Sequence, residues 1–328
     1  MQSARMIMAT KVMPPDSTFP IRCRQVVDSD TTNIADLLAR GLRRLPRQRW
    51  LQVLGRLAEH PTPAGLPKYG YLMESDGVPV GVILLISSKV KTGETWAVRC
   101  SVSSWYVEPP FRTHATLLFS LALRHKNVTY INSSVARHVE RIAEAQGFSR
   151  YCNGVFIAFP RPMSRKIEAK VVVGDTPSNG LFEPFEEQLL LAHREFGCLN
   201  LWCTTSERAY PFVFLPTVVM RFLPCMQLIY CRDIDEFVRF AHPIQRFLAF
   251  RRTPIILINS NGPIPGLLGK YVDGTSPMYF KGPTRPRVGD LAYTEVAMFG
   301  FARIGLLRPM LRSFNKIVVQ SNTHSASE

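Results

Sequence analysis

The stretch SSWYVEPPFRTHATLLFSLALRHKNVTYIN, residues 103–132, decides how this sequence folds. A strand-like run ends at Val107, Pro109 and Pro110 follow, and a helical pattern starts after a single arginine, Arg112. Proline lacks a backbone N–H and fixes φ, so this pair ends strand pairing and sets the entry into the helix. A helix start exposes unpaired N–H groups and a partial positive charge, a suitable seat for a phosphate. Arg112 can add a forked cation there, and Thr113 and Thr116 can add hydroxyl donors. The strand carrying Val107 can splay from its neighbour and offer backbone groups to an extended ligand. Taken alone, the stretch also fits an ordinary strand-to-helix connection with a surface arginine.

Upstream, residues 21–27 read as a strand, and Asp28-Ser29-Asp30 is a good helix start before Ile34, Leu37, Leu38 and Leu42 at helical spacing. A second helix carries Trp50, Val53, Leu54 and Leu57, and Pro61, Pro63, Gly65 and Pro67 stop it. YGYLME, SDG and VPVGVILLI then form the clearest hairpin, with Asp76-Gly77 as its turn. Downstream come a buried strand at 128–131, a helix at 136–146 with exit Gly147-Phe148, and a strand at 151–159. After a boundary at 160–164 the order of elements repeats. Residues 167–173 with Asp175 echo 21–27 with Asp28, and IILINSN echoes VTYINSS.

With these parts in place, residues 21–160 resemble the GCN5-related N-acetyltransferase (GNAT) superfamily, whose members transfer acyl groups from acyl-CoA. The resemblance rests on Ile21-Arg22 with Asp28, on Asp76-Gly77-Val78-Pro79-Val80-Gly81, on VEPPFRTHA and on Glu144-Ala145-Gln146-Gly147-Phe148. Val107, Pro109, Phe111 and Arg112 fit the family's strand-to-helix crossing. The resemblance implies an α/β protein of two tandem GNAT-like domains, each a mixed, mostly antiparallel sheet flanked by helices. Its expected layout is a flexible leader at 1–20, an acyl-CoA-binding domain at 21–161, a diverged domain at 165–305 and a tail at 306–328.

It further implies acyl-CoA or acetyl-CoA as co-substrate, bound by Val107, Arg112, Thr113, His114, Ala115 and Thr116. The acceptor would be an amine or hydroxyl on a small molecule or peptide. The chain departs from the family in three respects. Thr113, Ala115 and Leu117 replace the preferred small residues of the turn, where side chains narrow the approach of a pyrophosphate. Ala143 stands where many members have a tyrosine acting as general acid, and no carboxylate lies on the strand before Val107. Ser104, Glu108 and Glu74 are therefore the candidate catalytic residues, Glu108 and Glu74 as bases by nearness in the pattern. A non-catalytic module binding acyl-CoA or a protein, and an aminoacyl-tRNA-dependent transferase, are the alternatives.

Composition bounds the rest. The chain has 328 residues, 46% hydrophobic and 20% charged, with a formal net charge of +15. That charge favours anionic partners, and it leaves peripheral contact with an acidic membrane surface open. No RNP-type strand or helix-turn-helix signal points to nucleic acid. No GxSxG elbow, HExxH helix or zinc-spaced Cys/His cluster is present. The loop GPIPGLLGKY fails the phosphate-loop spacing at Ile264 and Tyr271. Seven cysteines without a CxxC pair read as reduced, buried thiols of a cytoplasmic protein. Residues 209–231 are long enough to span a bilayer, but Pro211, Pro216, Pro224 and Arg221 make them strands broken by turns.

Overall fold

The computed structural model describes residues 20–43, 45–135, 137–160, 169–174, 182–219 and 223–300. The expected leader, up to residue 19, the 161–164 part of the expected boundary and the tail lie outside them. Strand β1 (Ile21–Gln25) leads into helices α1 (Thr31–Gly41) and α2 (Arg47–Glu59). The hairpin of β2 (Gly70–Ser75) and β3 (Val78–Thr92) turns on Asp76 at φ 50° and Gly77 at φ 76°. Those two left-handed residues match the twist of the strands they join. Strand β4 (Thr95–Val107) follows, then α3 (Ala115–Ala122), β5 (Val128–Asn132), α4 (Arg137–Ala145) and β6 (Ser149–Ala158).

The run VGVILLI is apolar throughout because both faces of β3 are covered. Val82, Leu84 and Ile86 pack under Ile34, Leu38, Trp50 and Leu57 of α1 and α2. Ile83 and Leu85 point the other way, to Leu118, Phe119 and Ala122 of α3 and Ala143 of α4. This is the two-residue period of a strand with helices on each side.

The second half runs β7 (Lys170–Val173), α5 (Pro184–Glu195), β8 (Leu199–Thr204), β9 (Ala209–Val219) and β10 (Leu223–Tyr230). It continues through α6 (Ile234–Phe250), β11 (Ile256–Ser260), β12 (Gly269–Lys281) and α7 (Glu295–Phe299). The membrane-length stretch is thus β9 and β10, and no helix among the described residues is long and apolar enough to cross a membrane.

The twelve strands among the described residues form one sheet, in the order β1-β2-β3-β4-β5-β12-β6-β11-β10-β9-β8-β7. Each half contributes a parallel pair, β4 with β5 and β10 with β11, and the other pairings are antiparallel. The two halves exchange a strand. β12 sits between β5 and β6 of the first half, and β6 in turn pairs with β11 of the second. Neither stretch, 21–161 or 165–305, completes its sheet without the other. Gly154 makes the exchange close, since a Cβ there would collide with the Val272 carbonyl on β12.

Candidate active site

β4 pairs with β5 only from Val98 opposite Val128 to Ser101 opposite Ile131, yet continues to Val107. On its other edge it stays paired with β3 as far as Gly81 opposite Val107. Residues 102–107 therefore carry one free edge, and the strands open into a cleft. The register with β3 slips between Tyr106 opposite Val82 and Ser103 opposite Leu84, so Ser104 and Trp105 face one residue. Ser104 has φ 49°. A bulge of this kind twists the strand and re-aims the extra residue, here Ser104, into the cleft.

The cleft encloses a cavity of about 160 Å³, lined among others by Leu42, Ser103, Ser104, Trp105, Asn132 and Glu295. Trp105 stacks on Phe119 with ring centroids 4.7 Å apart, and its buried indole N–H has no hydrogen-bond partner among the described residues.

Glu295 is the residue that sequence reasoning missed. It opens α7, in the second half, and is 2% exposed. Ser103 donates to its Oε2, and Ser134 donates to its Oε1. Ser133 donates to Oε1 at 3.4 Å. Because the Ser103 proton is committed to the carboxylate, the 3.1 Å contact between the Ser103 and Ser104 hydroxyls has Ser104 as donor. A relay of Ser104, Ser103 and Glu295 results. The one signal in the sequence was an acid set against four apolar residues, Val296 to Phe299, all of them buried.

The other candidates lie around the mouth. Val107 is buried at the end of β4, and Arg112, Thr113 and Thr116 are exposed, with His114 and Ala115 half-buried. Pro109–His114 forms a 3-10 turn that flows into α3, in place of the fresh helix start expected. Phe111 N–H donates to Glu108 O at 2.9 Å and Ala115 N–H to Arg112 O, so the Ala115 amide is already used. Arg112 has no ion-pair or hydrogen-bond partner among the described residues, and Leu117 is 56% exposed, clear of the cavity. Glu108 pairs with Arg40 at 2.9 Å and does not line the cavity. Glu74 lies on β2, two strands from β4, where Arg24 holds it at 2.5 Å together with Asp30 at 2.6 Å. Neither carboxylate lines the cavity, whereas Glu295 does.

A second cleft opens between β10 and β11, paired only at Met226–Ile256 and Gln227–Leu257. It is filled by the chain itself. Leu291 N–H donates to Ile229 O at 2.8 Å, and the Leu291 side chain is fully buried. Arg287 donates to Cys231 O at 2.5 Å. Helix α6 starts with Asp233 capping Asp235 N–H at 2.7 Å and carries Asp235 and Glu236 in its first turn, which repel an anion.

The segment that plugs this second cleft delivers Glu295 to the first. It is held by His193, whose Nδ1–H donates to Leu189 O at 2.7 Å and whose Nε2 accepts from Tyr293 N–H at 3.1 Å. Burial pushes the His193 pKa down to about 4, so the ring stays neutral. Arg99 anchors the same segment through Asp290 at 2.9 Å and Ala292 O at 2.5 Å. Burial alone would raise the Asp290 pKa, but Arg99 and Arg287 hold it below its ordinary value. No cluster among the described residues could hold a metal ion. The cysteines are free, and all but Cys23 are buried.

No protein-family model matches this chain, and no curated protein does. Solved structures do. A GCN5-related N-acetyltransferase from Anabaena variabilis superposes with a TM-score of 0.54 at 7% identity, over 80% of this chain and 72% of that one. Another, from Kribbella flavida, gives 0.52 at 12% identity, over 80% of this chain and 71% of that one. At such identities the likeness is one of fold, shared with these two acetyltransferases over most of the chain.

Proposed function

We propose that this chain, a GNAT fold with one open cleft and one closed, is an acyl-CoA-dependent acyltransferase with a single active site. The observation that carries the reading is a buried carboxylate, Glu295, held inside the cleft between β4 and β5. The pantetheine arm would lie along the free edge of β4 from Val102 to Val107. The diphosphate would meet Arg112, Thr113 and Thr116 at the start of the 3-10 turn and helix, with His114 and Ala115 beside them. The thioester would then sit at Ser104, beside the bulge.

In the reaction, the acceptor's amine or hydroxyl attacks the thioester carbonyl carbon. The new C–N or C–O bond forms as the C–S bond breaks, and CoA leaves as its thiolate, protonated from water. The acceptor's proton passes to Glu295, directly or through Ser104 and Ser103. Free N–H groups on the edge of β4 and the unpartnered indole N–H of Trp105 can stabilise the oxyanion. Holding both reactants in the cleft supplies much of the rest.

Isothermal titration with acetyl-CoA and longer acyl-CoAs, followed by thiol release with mixed amine acceptors, tests this. Absent binding at high micromolar concentration counts against the whole reading. Binding without turnover selects a second one, a non-catalytic acyl-CoA module. That reading is favoured by Ala143, which is buried and offers no acid to the leaving thiolate.

A further inference from the structure

A cavity larger than the cleft at Glu295 lies elsewhere among the described residues. It measures about 430 Å³ and lies between the halves, with β3, β4 and the 60–64 loop on one wall and α5, Tyr230 and residues 290–293 on the other. Arg99, which lines it, is four residues from Ser103 on the same face of β4, roughly 13 Å away at the rise of a strand. The two cavities have no lining residue in common. This volume is within the range of small-molecule sites, roughly 300–1,000 Å³.

Its lining has a definite chemistry. Lys89, Lys91 and Arg99 are cationic and Asp290 is the only acid among the lining residues. Asp290 is consumed by Arg99 at 2.9 Å. Lys91 reaches Glu183 at 3.2 Å, while exposed Lys89 has no ion-pair partner among the described residues. Lys89 and Lys91 are two apart on β3, so both ammonium groups project to one side at the rim. Beside them Trp96 and Phe185 meet edge to face at 5.8 Å, and Trp96 is 58% exposed, an unusual position for a ring of that size. Pro61 and Pro63 extend this apolar wall. Deeper in, the Tyr230 and Tyr293 hydroxyls have no hydrogen-bond partner among the described residues and can donate to a ligand. The cavity thus offers surplus positive charge, an aromatic and proline wall, and free hydroxyl donors.

We propose that this interdomain cavity is a second binding site, for a small organic carboxylate with an apolar or aromatic body. The carboxylate would be held by Lys89 and Lys91, and the body would lie against Trp96 and Phe185. The site stands independently of the acyl-transfer reading, and a ligand in it would rest against Tyr293, two residues before Glu295.

The test is isothermal titration of the full chain with 4-phenylbutyrate and with its cationic counterpart 4-phenylbutylamine. The expected result is saturable binding of the carboxylate at one per chain, at least about tenfold tighter than the amine, and unchanged by saturating CoA. A double variant, Lys89→Glu with Lys91→Gln, is expected to weaken carboxylate binding about tenfold or more. No saturable binding up to about 10 mM, equal affinity for the two charges, displacement by CoA, or unchanged affinity in a folded double variant would each overturn the proposal. Should the variant fail to fold, the comparison of carboxylate with amine on the wild-type chain decides alone. Loss of CoA binding or turnover leaves this site untouched, so its failure and that of the transferase reading are told apart.

Discussion

Ser103, on the fourth strand of the first half, donates its hydroxyl proton to Glu295, 192 residues later and in the second half. The contact joins the open cleft to the segment that closes its counterpart. One stretch of chain, residues 287–295, thereby fills the cleft of the second half and supplies the first half with a carboxylate.

If Glu295 accepts the acceptor's proton, Glu295→Gln keeps the shape but loses the base, and the serine facing the new amide NH2 must turn from donor to acceptor. Turnover is expected to fall by about 10²- to 10⁴-fold, the usual worth of a positioned acid–base group. The acyl-CoA dissociation constant should stay within about threefold. Steady-state kinetics with titration on the same sample checks both, and an equal loss in affinity would assign Glu295 to binding.

Arg112→Glu places an anion where the diphosphate is expected. Affinity for CoA should drop at least about tenfold, and the salt dependence of binding should flatten, as expected when a screened charge pair is lost. Dephospho-CoA and CoA titrated at two ionic strengths give the measurement.

Stoichiometry separates the two clefts. Because Leu291 already bonds to Ile229 O in the second, titration should saturate at one acyl-CoA per chain. A value of two would mean that the 287–295 segment leaves its cleft.

The strand exchange should be visible in stability. Gly154→Ala drives a methyl into the Val272 carbonyl on β12 and is expected to destabilise by about 1–3 kcal/mol, as overpacking does. Gly55→Ala, in α2 with open space around it, should stabilise by up to about 1 kcal/mol. Urea unfolding of the pair is the comparison.

Acid should loosen the Glu295 segment. In the unfolded chain His193 takes up a proton near its ordinary value of 6.5, whereas the folded ring resists until about 4. The unfolded state therefore binds more protons in that window, and stability falls as pH drops from 6.5 to 4, by about 3 kcal/mol from this group. Protonation of Nε2 also removes the acceptor of the Tyr293 N–H. In His193→Gln this part of the pH dependence should vanish, as denaturant midpoints across the window would register.

The local pattern of the chain determined most of its elements. The turn at Asp76-Gly77, the apolar run of β3 and the proline break after Val107 are short-range features with short-range causes, and they were legible in the residues. β12 was not: Gly269, Gly274 and Pro277 break its alternation, and its register slips between Asp273 and Met278, so the segment reads as a loop until β5 and β6 flank it. The buried carboxylate of the cleft escaped for the same reason. Glu74 and Glu108 are near the cleft in sequence, but Arg24 and Arg40 take them, while Glu295 is brought in by pairings that span the whole sheet. Which strands a chain will form depends on neighbours two to four residues away. Which strands lie side by side, and which acid ends up buried among serines, depends on how two halves close on each other, and that only the tertiary structure decided.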